Sequence, residues 1–304
     1  MKTVRHSQRL LVLFCTVLML MIMTGGLHAQ SSLEKALQQY ASEEVKGYIQ
    51  PVGDLFGANL NAGLFHSADI PKMGFHFRLE LIGMGSLVGD AQKTYTANAP
   101  PGWNPGTFQT ATVFGEKGGS VVDQTTGFTY RGSDGVINTS ILPLAVPQIS
   151  IGDLYGTRVI VRFIATPEFG DGGFPKATLL GIGVQHSVSQ YFPSVPVDIA
   201  GHFFYNRFTV GDLIDVSGIS IGAEASKSFS VLTLYGGLAW EKSSMNLKYT
   251  PSNTTTPLVD ITLDGANNFR FTVGLGLQLA FLSLFGDANF GSVTNFSAGI
   301  GFGI

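Results

Sequence analysis

Two dipeptides, His66-Ser67 and His186-Ser187, set an imidazole beside a hydroxyl. Nucleophilic catalysis needs those groups within hydrogen-bond reach on one face. Neighbours along a strand point to opposite faces, so neither dipeptide makes a dyad by itself. No G-x-S-x-G elbow accompanies them. An enzyme is not expected, although a cross-strand pairing keeps a lipid-modifying enzyme as the third reading. His76, His202 and Asp198, with Glu80, are donor types that bind metals, but their spacing matches no zinc site. Neither a metal nor a cofactor is expected. The larger chemical group is ionic: Arg78, Arg158, Arg162 and Arg270 with Glu80, Glu224 and Glu241. Turned inward, these charges form either a constriction or an ion-pair network that fills an interior. Gln278 belongs to the same inward set.

The elements that carry these residues alternate with a period of two. In Phe269–Leu279, Phe269, Phe271, Val273, Leu275, Leu277 and Leu279 take one face, and Arg270, Thr272, Gly274, Gly276 and Gln278 the other. Phe75–Met84 sets Phe75, Phe77, Leu79 and Leu81 against His76, Arg78 and Glu80. Thr157–Thr166 sets Val159, Val161 and Phe163 against Arg158 and Arg162, and Val197–Tyr205 sets Val197, Ile199, Phe203 and Tyr205 against Asp198 and His202. Ile219–Glu224, Leu232–Glu241 and Phe296–Ile304 repeat the pattern. Apolar faces of nine to eleven residues match a strand tilted about 45° across a bilayer. Sandwich strands average about five or six residues. The opposite faces hold Gly, Ser, Thr and single charges, as a lumen wall does. Inward glycines such as Gly181, Gly183, Gly222, Gly274, Gly276 and Gly299 either smooth that wall for a substrate or helix, or relieve crowding where strands coil.

Composition agrees with that architecture. The chain has 304 residues, 44% hydrophobic and 13% charged, with 39 Gly, 23 Phe and one Cys. Its charge content is about half the roughly 25% of ordinary soluble domains. Disorder is excluded, because it requires low hydrophobicity and high charge. The net charge of −3, with no basic patch, argues against nucleic acid as a partner. Lys2, Arg5 and Arg9 precede an apolar run, Leu10–Met23, and a cleavage-like Leu27-His28-Ala29. Residues 1–29 therefore read as a secretory signal peptide, too short in its core to span a bilayer. Cys15 lies within that core, so the exported chain has no disulfide and no thiolate metal site.

A helix is expected from Ser31 to about Gln50, on Leu33, Ala36, Leu37, Tyr40, Ala41, Val45 and Tyr48 at three-to-four spacing. Pro51 is expected to end or kink it, with a short amphipathic turn through Val52, Leu55 and Phe56. Residues 30–57 thus form a helical segment, packed in the barrel or beneath it. Residues 58–304 form the barrel. Short turns are expected at Asp69–Lys72, Gly152–Gly156 and Gly211–Asp215. The longest excursion spans about 87–142 and contains a hairpin from Thr107 to Arg131. The alternating segments give ten to fourteen strands, with twelve as the centre.

The stretch Gly181-Ile-Gly-Val-Gln-His-Ser-Val-Ser-Gln-Tyr-Phe-Pro193, with Val195-Pro-Val-Asp-Ile-Ala200 and Tyr235-Gly-Gly-Leu-Ala-Trp240, resembles a group of uncharacterised Gram-negative outer-membrane β-barrel proteins. The helix-then-barrel layout is more faintly similar to long-chain fatty-acid transporters of the FadL type. Outer-membrane barrels typically end in Phe, whereas here Phe302 is followed by Gly303 and Ile304. Residues and resemblance together predict an all-β chain: a closed antiparallel transmembrane β-barrel with a short N-terminal amphipathic helix, in the outer membrane. Its expected partners are outer-membrane lipids, the barrel-assembly machinery and a small or apolar solute. The expected role is a channel or transporter for such solutes, with a non-conducting structural or adhesive barrel as the alternative.

Overall fold

The computed structural model describes residues 42–167, 175–192, 195–249 and 259–304. Among the described residues one α-helix, α1 (Ser42–Leu60), precedes fifteen strands. Ten of them form the wall: β1 (Met73–Leu87), β6 (Ile141–Leu154), β7 (Thr157–Ala165), β8 (Ala177–Ser187), β9 (Asp198–Val210), β10 (Ile214–Phe229), β11 (Leu232–Tyr249), β13 (Phe269–Leu279), β14 (Leu282–Phe290) and β15 (Asn295–Gly303). Each pairs antiparallel with its neighbours, and β1 meets β15 in register from Arg78↔Gly303 to Ser86↔Asn295. The sheet therefore closes on itself and leaves no edge in the wall, the condition for strands to cross hydrocarbon. The ring closes at ten strands, the lower bound of the expected range and below its centre of twelve. β12 (Val259–Asp264) only extends the β11 hairpin, from Ser244↔Asp264 to Tyr249↔Val259.

The period-two pattern becomes the two sides of this wall. Phe75, Leu79, Phe163, Leu180, Ile182, Leu238, Trp240, Phe269, Leu275 and Phe302 are exposed on the outer side. Their strand neighbours His76, Glu80, Arg162, His202, Glu241 and Arg270 are buried inside. A contiguous apolar exterior of this extent needs lipid around it. Among the described residues no helix is long and apolar enough to cross a membrane.

The two ends of the barrel differ. One carries tight turns at 155–156, 230–231 and 280–281, the residues 188–192 that follow β8 and the end of β15. At its first turn Tyr155 and Gly156 have φ of 52° and 67°, the positive pair that a type I′ hairpin requires. The other end carries the 88–140 excursion, which packs as a cap. In it β2 (Thr94–Asn98) pairs with β3 (Thr107–Ala111), and β4 (Ser120–Val122) with β5 (Thr129–Arg131). Thr107 and Arg131 thus belong to two hairpins, not one. Gly211 also lies at this capped end, joining β9 to β10, so the Gly211–Asp215 turn is not with the other tight turns. Asp69–Lys72 is no hairpin turn but the link into β1.

The helix departs from its expected bounds as well. Residues 31–41 lie outside the described residues, and α1 runs through Pro51 to Leu60. A proline ring clashes with the carbonyl four residues back, here that of Gly47. Burial supplies the compensation: Val45, Tyr48, Ile49, Leu55 and Ala58 are all buried, and Gly47 lies against the Tyr95 ring of the cap, where a Cβ would sit 2.4 Å from Cδ2.

Candidate functional site

The interior is occupied by the protein's own chain. α1 starts at the capped end, where the Val113 amide donates to the Tyr48 carbonyl (2.9 Å) and the Tyr48 hydroxyl to the Asp134 carbonyl (2.8 Å). The Gln50 amide donates to the Asp264 carbonyl at 2.8 Å. Deeper down, Ser86 Oγ donates to the Leu55 carbonyl (2.9 Å) and Asn59 Nδ2 to the Leu142 carbonyl (2.7 Å). Residues 61–70 continue through the bore to the far end, where β1 begins. The wall thus supplies hydrogen bonds along the whole length of this plug.

Two arginines hold the helix end. Arg162 on β7 donates from Nη1 to the Ala62 and Leu60 carbonyls at 3.1 and 3.4 Å, and from Nη2 to the Gly63 carbonyl. Its Nε donates to Gln148 Oε1 at 2.8 Å, and Gln148 Nε2 in turn to Glu80 Oε2 at 2.8 Å. Arg270 on β13 donates to both oxygens of Glu241 (2.8 and 3.1 Å) and to the Ala58 carbonyl (2.8 Å). The last carbonyls of a helix have no partner within it and carry its negative dipole end. Guanidinium groups from the wall answer both needs.

Below the helix a second polar layer surrounds His66. Arg78 Nη1 approaches His66 Nε2 at 2.8 Å. Arginine can only donate, so that nitrogen accepts and the ring is neutral with its proton on Nδ1. The ring stacks on Phe285, with centroids 4.3 Å apart, and Glu80 Oε1 lies 3.2 Å from Nε2. Arg78 Nη2 reaches Gln278 at 2.9 Å. Arg158 pairs with Asp153 at 2.8 Å and donates to the Asp69 carbonyl at 3.3 Å. His76 meets Ser150 at 2.8 Å. On the opposite wall His202 Nδ1 contacts Glu224 Oε2, and Gln185 donates to Glu224 Oε1 at 2.6 Å.

His76, Glu80, Arg158, Arg162, His202, Glu224, Glu241 and Arg270 are therefore buried in the bore, while Arg78, Gln278 and Asp198 are half-buried toward its uncapped end. The structure joins Arg78 and Gln278, Arg270 and Glu241, and His202 and Glu224; Asp198 joins none of these pairs. His76 and Glu80 lie on β1, Asp198 and His202 on β9, and among the described residues no three His, Cys, Asp or Glu side chains group as a metal site. His186 contacts Thr157 and Tyr191, whereas Ser187 is buried toward the bore. Asp153, Gln148 and Gln185 complete the network without a sequence signal. Asp153 sits at a register shift in β6 with φ of 67°, and such a bulge is invisible to alternation.

Several inward glycines are seats for rings, whereas Gly181 lies against Asn206 and Gly222 against the β11 backbone. A Cβ on Gly183 would stand 2.0 Å from the Phe204 ring, on Gly299 2.2 Å from Phe285, and on Gly237 2.7 Å from Phe65. Phe65 belongs to the plug. Packing is tight enough that two cavities, one beside Phe65, His202 and Arg270 and one beside His66 and Glu80, each hold about one water.

No curated protein matches the chain. Among solved structures it is similar to the outer-membrane protease OmpT of Escherichia coli at 7% identity, covering 78% of this chain and 100% of that one, with a TM-score of 0.33. The translocator domain of the autotransporter NalP from Neisseria meningitidis matches at 13% identity over 85% and 98%, with a TM-score of 0.30. OmpF of Salmonella typhi, in complex with daunomycin, matches at 10% identity over 76% and 97%, with a TM-score of 0.25. A family model described as a family of unknown function (DUF6588) matches residues 1–304. The chain belongs to that family.

Proposed function

We propose that the protein is an outer-membrane barrel that is closed at rest, anchored by its apolar exterior in lipid, and that it presents the 88–140 cap at the cell surface. One observation carries this reading: α1 and residues 61–70 fill the bore from end to end, fixed by buried bonds from Asn59, Arg162 and Arg270. The long connections mark the outward end, because periplasmic turns are the short ones in such barrels. Assembly depends on the barrel-assembly machinery, and the leader at 1–29 directs export.

A conduit for small solutes is the second reading, and it is favoured by the rim at Arg78, Gln278 and Asp198, which stays half-exposed. Passage then requires the plug to withdraw. Single-channel recording in planar bilayers tests both. The full-length chain gives no steady conductance, and deletion of residues 31–66, which removes the helix and the segment held by Arg162 and Arg270, produces one. A steady current through the full-length protein overturns the closed-barrel reading; brief openings that vanish when the plug is cross-linked to the wall support the conduit.

A further inference from the structure

Ser220, His202 and Glu224 form a hydrogen-bonded chain within the wall, whose bonds hold no part of the plug. His202 on β9 is the register partner of Gly222 on β10, so its ring stands between the two inward side chains of Ser220 and Glu224. Its Nδ1 faces Glu224 Oε2, and its Nε2 lies 3.4 Å from Ser220 Oγ. An ionised carboxylate accepts only, so Nδ1 carries the proton and Nε2 is left to accept from the serine hydroxyl. That is the tautomer a general base needs, with the orienting acid on the opposite nitrogen. Gln185 fixes the other Glu224 oxygen at 2.6 Å.

The surroundings are as specific as the trio. Ser220 and His202 line the cavity beside Phe65, whereas Glu224 stays behind them. Arg270 lines the same cavity, and its buried Nη1 has no hydrogen-bond partner. Retaining α1 uses only Nε and Nη2 of that guanidinium. A donor left unpaired in a dry site costs free energy until an acceptor occupies the space beside it.

We propose that this is an acyl-transfer site for small carboxylic esters: Ser220 is the nucleophile, His202 the base, Glu224 the positioning residue and Arg270 Nη1 the oxyanion donor. Ser220 Oγ bonds to the ester carbonyl carbon while its proton passes to His202 Nε2. The oxyanion formed lies against Arg270 Nη1. As the carbonyl re-forms, the bond to the alkoxy oxygen breaks, and the alcohol leaves with the proton from Nε2. Water, deprotonated by the same nitrogen, then attacks the acyl carbon; the carboxylic acid leaves and Ser220 regains its proton. Phe65 packs on His202 with centroids 5.3 Å apart and walls the cavity, so it limits the size of the acyl group. Ser220, His202, Glu224 and Arg270 all lie on strands of the wall, so this assignment does not rest on the closed-barrel reading.

Diisopropyl fluorophosphate, a small phosphorylating probe that loses fluoride to the attacking hydroxyl, tests it on the full-length barrel folded in detergent. The expected adduct is on Ser220, located by peptide mass spectrometry, forming faster in Phe65→Ala than in the wild type. Phe65→Leu replaces that variant if heat-modifiable migration shows it misfolded. A general base contributes about 10²–10⁴-fold, so His202→Gln slows labelling by at least that lower factor. Glu224→Gln slows it less and shifts its pH profile, which a merely structural role would not do. No Ser220 adduct in a folded Phe65 variant, or labelling indifferent to His202→Gln, overturns the assignment, whatever the conductance recordings give.

Discussion

Arg162 Nη1 donates to the Ala62 carbonyl at 3.1 Å across a sequence separation of 100 residues. A side chain of the wall thereby closes the C-terminal end of the helix inside it. Without that fork the carbonyls of Leu60, Ala62 and Gly63 would lose a charged donor in a water-poor bore. Arg162→Leu is expected to destabilise the barrel by about 3–5 kcal/mol, the range for removing one partner from a buried charged network. Denaturant unfolding in detergent measures the loss. Lysine keeps the charge but not the planar fork, so Arg162→Lys recovers only part of it.

The Arg270–Glu241 pair gives a cleaner dissection. Both side chains are buried and the contact is two-pronged, at 2.8 and 3.1 Å. Glu241→Leu leaves a guanidinium unpaired and is expected to cost about 3–5 kcal/mol. Adding Arg270→Met to it restores most of that loss, because the double variant buries no lone charge. Thermal unfolding of the two single variants and the double variant forms the cycle.

Topology makes a prediction that needs no energetics. Lys46 is exposed near the start of α1, at the capped end, while exposed Lys227 lies on β10 close to the tight turn at the other end. In a Cys15→Ser background no other thiol competes. A membrane-impermeant maleimide applied to intact cells labels Lys46→Cys and spares Lys227→Cys. The reverse pattern would invert the barrel in its membrane.

The cap carries a pH dependence of definite sign. Asp123 accepts from the Thr126 hydroxyl (2.6 Å), the Thr126 amide (2.9 Å) and the Asn104 amide (2.9 Å). These bonds, the hydroxyl foremost, hold its carboxyl below the usual value of 3.8. Asp134 is lowered likewise, first by the Gly118 amide and then by Arg131. A depressed folded pKa adds stability that is present above the unfolded pKa of about 3.9 and lost as pH falls through the folded value. Proteolytic nicking within 88–140 is therefore expected to rise below about pH 4, and Asp123→Asn is expected to flatten the response.

The wall was the legible part of this chain. Phe269–Leu279 and Thr157–Ala165 alternate without interruption, and both are strands over those residues. β6 was hidden by Pro143 and Pro147, which look wrong for a sheet interior. Both lie above the stretch paired with β7, whose register begins at Gln148↔Arg162, so the proline nitrogens remove no ladder bond on that side. The His202–Glu224 and Arg270–Glu241 partnerships depend on which strands become neighbours, and periodicity does not carry that information. The plug's path through the bore was equally unreadable, because an amphipathic stripe says that a helix must be covered and not by what.

The threading of α1 also constrains how the molecule can be made. Its first turn emerges at one rim, while β1 starts from the opposite rim and zips to β15 over nine residue pairs. A cylinder completed before loading would have to draw the helix lengthwise through a passage with about one water's worth of spare room. A seam that zips only after the helix is seated avoids that passage, and on such a route seating and sealing are one event.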